Sequence, residues 1–273
     1  MTVSSHILDE FGLVDADLRL VHEGIHADLY RAGDLALKVF RTPMQRAANE
    51  FKVAKFLDGR FGSPRAHHFH KGLLAAISFD WIEGIPFSEL AHRPELLEML
   101  GERVATMHAL DVPASSDIKG TSDPFSLPDR LLQIARGLAG SDGISKRGLA
   151  YIEANLDVVG EVRGLVHRDI KPENVLLTGD NREPVLLDWE FAGRFPPAWD
   201  FAKANSSLLF TPRAIAAFNA GYAARRELPS VEEVEFFRVF ECFTAWAATA
   251  KTGVADFTLQ FALVDLLNEV ETQ

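Results

Sequence analysis

The chain has 273 residues, 47% of them hydrophobic, which is enough for a large core arranged as one big domain or as two lobes. Its net charge of −11 argues against a nucleic-acid partner, whose phosphates demand a basic patch, and suits a solvated acidic surface or a cationic substrate. Residues 1–10 carry no basic segment leading into an apolar one, and no stretch approaches the roughly 18 uninterrupted apolar residues of a membrane span. A soluble, cytoplasmic protein without a membrane partner is therefore expected, as a monomer or a homodimer.

From residue 18 the pattern predicts a twisted antiparallel sheet, with strands over 18–21, 29–31 and 35–40 and a tight turn at Ala32-Gly33-Asp34. The segment Gly24-Ile25-His26-Ala27-Asp28-Leu29-Tyr30 holds a single glycine and reads by itself as an ordinary hairpin. Lys38 interrupts the apolar strand 35–40. A helix carrying Glu50 is predicted over 44–57, with Thr42-Pro43 as its cap and first-turn proline. Strands follow near 67–70 and over 73–79. His68 and His70 would share one strand face, but no nearby cysteine or second histidine pair completes a tetrahedral metal set.

A helix over 94–110 ends in Met107-His108-Ala109-Leu110. A polar loop over 111–123 leads to a helix from Ser126 to 138. The turn Gly140-Ser141-Asp142-Gly143 then opens another helix to 156. Next comes Leu165-Val166-His167-Arg168-Asp169-Ile170-Lys171-Pro172-Glu173-Asn174-Val175-Leu176-Leu177, followed by Pro184-Val185-Leu186-Leu187-Asp188-Trp189-Glu190. The apolar runs 164–166, 175–177 and 185–187 read as short strands that bring Asp169, Asn174 and Asp188 to one end of a small sheet. Phosphoryl transfer needs that set: a carboxylate to orient the incoming hydroxyl, and oxygen ligands to hold magnesium against the phosphates. Asp169 is the candidate base; Asn174 and Asp188 are the candidate metal ligands. Helices are expected over 212–224 behind Thr211, over 231–248 behind the capping box Ser230 and Glu233, and over 256–270. Phe236, Phe237, Phe240 and Phe243 read as core. Cys242, the single cysteine, excludes an intrachain disulfide and suits a reducing compartment.

The fixed offsets H-x-D-x-x-x-x-N and a following Asp-containing hairpin resemble the protein-kinase-like superfamily. The helical insertion before His167, and Asp188-Trp189-Glu190 with the short segment to Asp200, resemble its aminoglycoside phosphotransferase and choline kinase group. The resemblance implies a two-lobed α+β fold, with a small antiparallel-sheet nucleotide-binding lobe over 1–82 and a larger, mainly helical catalytic and substrate-binding lobe over 83–273. It makes the Gly24 segment a short phosphate loop, and pairs Lys38 with Glu50 to neutralise nucleotide phosphate charge. It also puts Phe79 at the back of the adenine pocket, with the backbone of Asp80 and Ile82 on the base. Asp200 becomes a buttress of the catalytic loop, and His167 packs behind that loop. The implied reaction moves the γ-phosphate of ATP, or GTP, with Mg2+, to a hydroxyl of a small molecule such as an antibiotic, amino alcohol or sugar. Glu227, Glu232 and Glu233 are candidate contacts for an amine-bearing acceptor. Arg168 and Lys171 depart from that group and match Ser/Thr protein kinases; Lys171 then stabilises the migrating phosphoryl group. The rival readings are a Ser/Thr protein kinase and a nucleotide-sensing pseudokinase.

Overall fold

The computed structural model describes residues 3, 5–13, 18–41, 44–90, 93–121, 125–161, 164–207, 211–251 and 256–271. The N-terminal lobe comprises α1 (Ser5–Glu10), β1 (Arg19–Glu23), β2 (Ala27–Ala32), β3 (Leu35–Phe40), α2 (Met44–Leu57), β4 (Ala66–Lys71) and β5 (Ala75–Asp80). The strands form an antiparallel sheet in the order β1-β2-β3-β5-β4, so β3 is central and β4 an edge. On β3, Leu37 and Val39 pack with Ile7 and Leu8 of α1 and with Phe11 just after it, while Ala36 and Phe40 pack with Ala47 and Ala54 of α2. The two-residue period places Lys38 on the α2 face.

The second lobe begins with β6 (Ile85–Pro86) and α3 (Pro94–His108), then α4 (Leu127–Leu138) and α5 (Gly143–Ala154). β7 (Leu165–Val166), β8 (Val175–Thr178), β9 (Glu183–Leu186) and β10 (Gly193–Arg194) frame the central loops. The chain finishes with α6 (Ala198–Ser207), α7 (Pro212–Ala223), α8 (Val231–Lys251) and α9 (Phe257–Glu271). One apolar core joins α3 and α7 to the central strands, and another gathers α4, α5, α6, α8 and α9 around Trp199 and the phenylalanines of α8. α3 and α7 cross at backbone contact. A methyl group on Gly101 would fall 2.1 Å from the Phe218 carbonyl oxygen, and one on Gly221 1.9 Å from that of Glu98. Among the described residues, no helix is long and apolar enough to cross a membrane.

Most expected elements are present, with informative differences. The strands at 165–166, 175–178 and 183–186 do not share one sheet: β7 pairs with β10, whereas β8 lies between β6 and β9. α1 and α6 were not expected, being short and weakly periodic. β5 starts at Ala75 because Leu73 stands fully exposed in the preceding turn. Ser126 and Thr211 cap α4 and α7 as expected. Ser230 accepts the Glu233 amide at 3.1 Å, but the Glu233 carboxylate accepts from the Gly160 amide at 2.8 Å, so it ties α8 to the preceding loop. The Thr42-Pro43 cap and the end of the 111–123 loop lie outside the described residues.

Candidate active site

Where β3 meets α2, Lys38 Nζ lies 2.7 Å from Glu50 Oε2 and 2.9 Å from Asp188 Oδ1. The Lys38 and Glu50 side chains are 13% and 4% exposed, and that of Asp188 is 33% exposed. Burial opposes the Lys38 ammonium, yet the two carboxylates outweigh it and hold its pKa above the ordinary value. Burial pushes the Glu50 carboxyl up against the pull of Lys38. For Asp188, burial is again overcome by Lys38, and its pKa is lowered. These three residues, 150 positions apart at the extremes, thus meet as one charged cluster.

The loop after β7 is held from behind. Asp200, fully buried at the start of α6, accepts the His167 amide at 2.9 Å and the Arg168 amide at 2.6 Å. Its Oδ2 also meets His108 Nε2 at 2.9 Å, and His108 Nδ1 meets the Tyr222 hydroxyl at 3.0 Å, which anchors the loop to α3 and α7. Arg168 takes a left-handed φ of 66°, and Asp188 one of 65°. Such conformations are uncommon outside glycine and persist when surrounding bonds over-determine them. The His167 ring lies against Trp189, its Nε2 2.9 Å from the Leu187 carbonyl, so the two loops are directly joined.

Asp169 is enclosed by cations and amides. Asn174 Nδ2 donates to its carbonyl at 2.9 Å and to its Oδ2 at 2.8 Å, Lys171 Nζ lies 2.8 Å from Oδ2, and Lys203 Nζ lies 3.3 Å from Oδ1. Burial would raise the carboxyl, but the Lys171 hydrogen bond and the Lys203 and Lys171 charges lower it. Both amide protons of Asn174 face Asp169, so its carbonyl oxygen is the atom left for a cation. It and the Asp188 carboxylate are hard oxygen donors, a chemistry that fits magnesium and would suit neither a thiophilic nor an imidazole-seeking metal.

The remaining expected positions lie on the β1–β2 hairpin and at the end of β5. β1 and β2 form the hairpin over residues 24–26, closed by the Gly24 amide on the Ala27 carbonyl at 3.0 Å. A side chain on Gly24 would sit 2.6 Å from that carbonyl oxygen, which accounts for the lone glycine. Burial first, then the Arg46 guanidinium, lowers the His26 imidazole, while Asp188 acts in the opposite sense. Asp80 and Ile82 lie half-buried where β5 leaves the sheet; the Asp80 amide is bound to the Arg65 carbonyl and the Trp81 amide to that of Asp34. Phe79 is buried beside them.

Several contributors were not legible in the sequence. Lys203 approaches Asp169 from α6, a helix no pattern announced. Asn49 of α2 donates to the Glu190 and Ala192 carbonyls at 3.2 and 2.8 Å and accepts the Lys119 amide at 3.1 Å, joining α2 to the segment behind Asp188. Arg168 is committed internally: its guanidinium stacks 3.7 Å from the Trp199 ring centroid and pairs with Glu241 at 3.8 Å, and burial draws its pKa down to about 10. Of the acidic residues considered for an amine, Glu233 binds Gly160, and Glu227 and Glu232 are exposed. Cys242 is half-buried, and burial pushes its thiol up to about 11, which makes it a poor nucleophile at neutral pH.

A small antiparallel sheet joined to a mainly helical lobe, with a lysine–glutamate pair and two Asp-containing loops at their junction, defines the kinase-like fold. Within that class, residues 17–237 match the model of the phosphotransferase enzyme family, and the chain belongs to this family. Similar solved structures include a thermostable mutant of aminoglycoside phosphotransferase APH(4)-Ia in ternary complex with ADP and hygromycin B, at 17% identity and TM-score 0.73, covering 98% of both chains. Choline kinase LicA from Streptococcus pneumoniae shares 16% identity at TM-score 0.71, covering 97% of this chain and 98% of that one. Macrolide 2'-phosphotransferase MphH from Brachybacterium faecium shares 19% identity at TM-score 0.66, covering 96% of each. No curated protein sequence matches the chain.

Proposed function

We propose that this protein transfers the γ-phosphate of ATP, with GTP as the alternative donor, to a hydroxyl of a small molecule. The observation that carries the reading is the placement of Asp169 between Lys171 and Lys203, on a loop bonded to the loop of Asp188, which itself meets Lys38. The nucleotide base would donate to the Asp80 carbonyl and accept from the Ile82 amide in front of Phe79, and the Gly24 hairpin would cover the phosphates. Magnesium, held by Asp188 and Asn174, would supply neutralisation of phosphate charge. Lys38, fixed by Glu50, takes α- and β-phosphate charge. Asp169, kept ionised, orients the acceptor hydroxyl and receives its proton as the new O–P bond forms and the bond to the β-phosphate oxygen breaks. Lys171 stabilises charge on the migrating group.

A small acceptor is favoured because the segment from Asp188 through β10 to α6 at Ala198 is short, which gives a peptide substrate little to lie on. Arg168 gives the protein-kinase reading little support, since Trp199, Phe195 and Glu241 already occupy it. The similar proteins, an aminoglycoside phosphotransferase in complex with hygromycin B, a macrolide phosphotransferase and a choline kinase, set the acceptor panel. The test is magnesium-dependent ADP release from ATP and GTP across aminoglycosides, macrolides, amino alcohols, sugars and a generic protein. Release with one small-molecule class is expected, reduced about 10²- to 10⁴-fold in Asp169→Asn with nucleotide affinity nearly unchanged. Stimulation by protein alone would favour a protein kinase, and nucleotide binding without turnover a pseudokinase.

A further inference from the structure

His70 gains partners that the sequence places far away. It stands on the edge strand β4, and α1 brings His6 and Glu10, one helical turn apart, against it. His70 Nδ1 lies 2.5 Å from Glu10 Oε2, and the His6 and His70 rings are 5.8 Å apart between centroids. One donor atom from each of the three residues falls within 4.8 Å of the other two. The His70 ring is seated by the following turn: a side chain on Gly72 would come within 2.4 Å of its Nε2, so glycine there leaves the ring its place and Nδ1 its aim toward α1. The Lys71 ammonium is turned to the Phe69 ring and does not compete.

We propose that His6, Glu10 and His70 form a binding site for a divalent transition-metal ion of the zinc class, which staples α1 to the edge of the sheet. A carboxylate beside one imidazole is explained by an ordinary ion pair. That pair does not account for a second imidazole at the same point, whereas two imidazoles and a carboxylate are a recurring three-ligand set for zinc. Nitrogen donors select against magnesium and calcium, which take oxygen. His6 and Glu10 are solvent-exposed, which leaves an open fourth position for water. The site faces α1, on the side of the sheet opposite Lys38, so its occupancy acts on stability rather than on the phosphates.

Untagged, chelator-treated protein is titrated with Co2+, whose four-coordinate sites absorb strongly in the visible. One Co2+ per chain is expected, displaced by Zn2+, with affinity reduced at least ~10-fold by His6→Ala and by His70→Gln. Asp188→Asn should keep this uptake, because an oxygen-ligated, six-coordinate Co2+ absorbs weakly. Zn2+ should also raise the melting temperature of the wild type and not of His6→Ala, whose exposed position makes it the variant to rely on should His70→Gln fail to fold. Absence of stoichiometric Co2+ uptake, or uptake unchanged in His6→Ala, overturns the proposal.

Discussion

Lys203 Nζ lies 3.3 Å from Asp169 Oδ1, on the side of the carboxylate opposite Lys171. Lys171 belongs to the same loop as Asp169, whereas Lys203 comes from α6, one turn beyond the buttressing Asp200. The same helix therefore holds the loop and sets the charge at its carboxylate.

Lys203→Met should shift the acid limb of the pH–rate profile upward. Burial favours the neutral carboxyl, and the two lysines hold its pKa below the ordinary value; with one removed the pKa rises, and the base is lost at a higher pH. Turnover in the variant should fall most below neutrality and recover toward alkaline pH, and Lys203→Arg should restore most of the wild-type limb. An unshifted limb in Lys203→Met would assign Lys203 to packing alone.

Asp188→Ala should abolish magnesium-dependent nucleotide binding. It removes the hard carboxylate of the candidate metal pair and leaves Lys38 with Glu50 as its remaining carboxylate partner. Calorimetric titration with ATP, with and without magnesium, reads this directly; wild-type affinity in the variant would exclude Asp188 as a metal ligand.

Lys38→Met should cost about 3–5 kcal/mol of stability at neutral pH, the usual penalty for leaving one member of a buried pair uncompensated. The cost depends on pH with a definite sign. Without Lys38, burial keeps the Glu50 carboxyl above its ordinary value of 4.5, so folding favours the protonated form. The defect should be small below that value and grow as pH rises through and beyond it. Denaturant melts at several pH values test the trend, and a pH-independent loss would show that Glu50 does not carry the penalty.

Gly101→Ala and Gly221→Ala should each destabilise the protein, despite the better helix propensity of alanine. Propensity contributes about 1 kcal/mol, but the new methyl would press on backbone carbonyls at 2.1 and 1.9 Å, which cannot rotate away. Overpacking of this kind costs typically about 1–3 kcal/mol and can cost more. A lowered melting temperature is expected; an unchanged or raised one would mean that α3 and α7 separate easily.

Legibility in the sequence followed the range of the interactions. Lys38 and Glu50 were readable because a charged residue in an apolar strand and a helix of clear period both sit within a few turns of chain. Asn174 and Asp188 were readable from offsets to Asp169. The pairing of β7 with β10 was not, since two-residue strands carry no period and their partners are chosen by the packing around them. Lys203, Asn49 and the internal capture of Arg168 were hidden for a related reason: each depends on which face of a helix meets a loop far away in sequence.

Spacing along the chain by itself determined the family's two loops, the lysine strand and the helical insertion, because local periodicity and fixed offsets encode which groups stand near one another on a short piece of backbone. The resemblance implied Asp200 as a buttress, and the fold fixes its two acceptor bonds to the His167 and Arg168 amides; tertiary structure alone decided that Lys203 would face Asp169 and that His6 and Glu10 would meet His70. Those contacts join residues 32 to 64 positions apart through helices docked by apolar cores, and a hydrophobic face specifies that it will be buried without specifying which polar groups its burial will bring together.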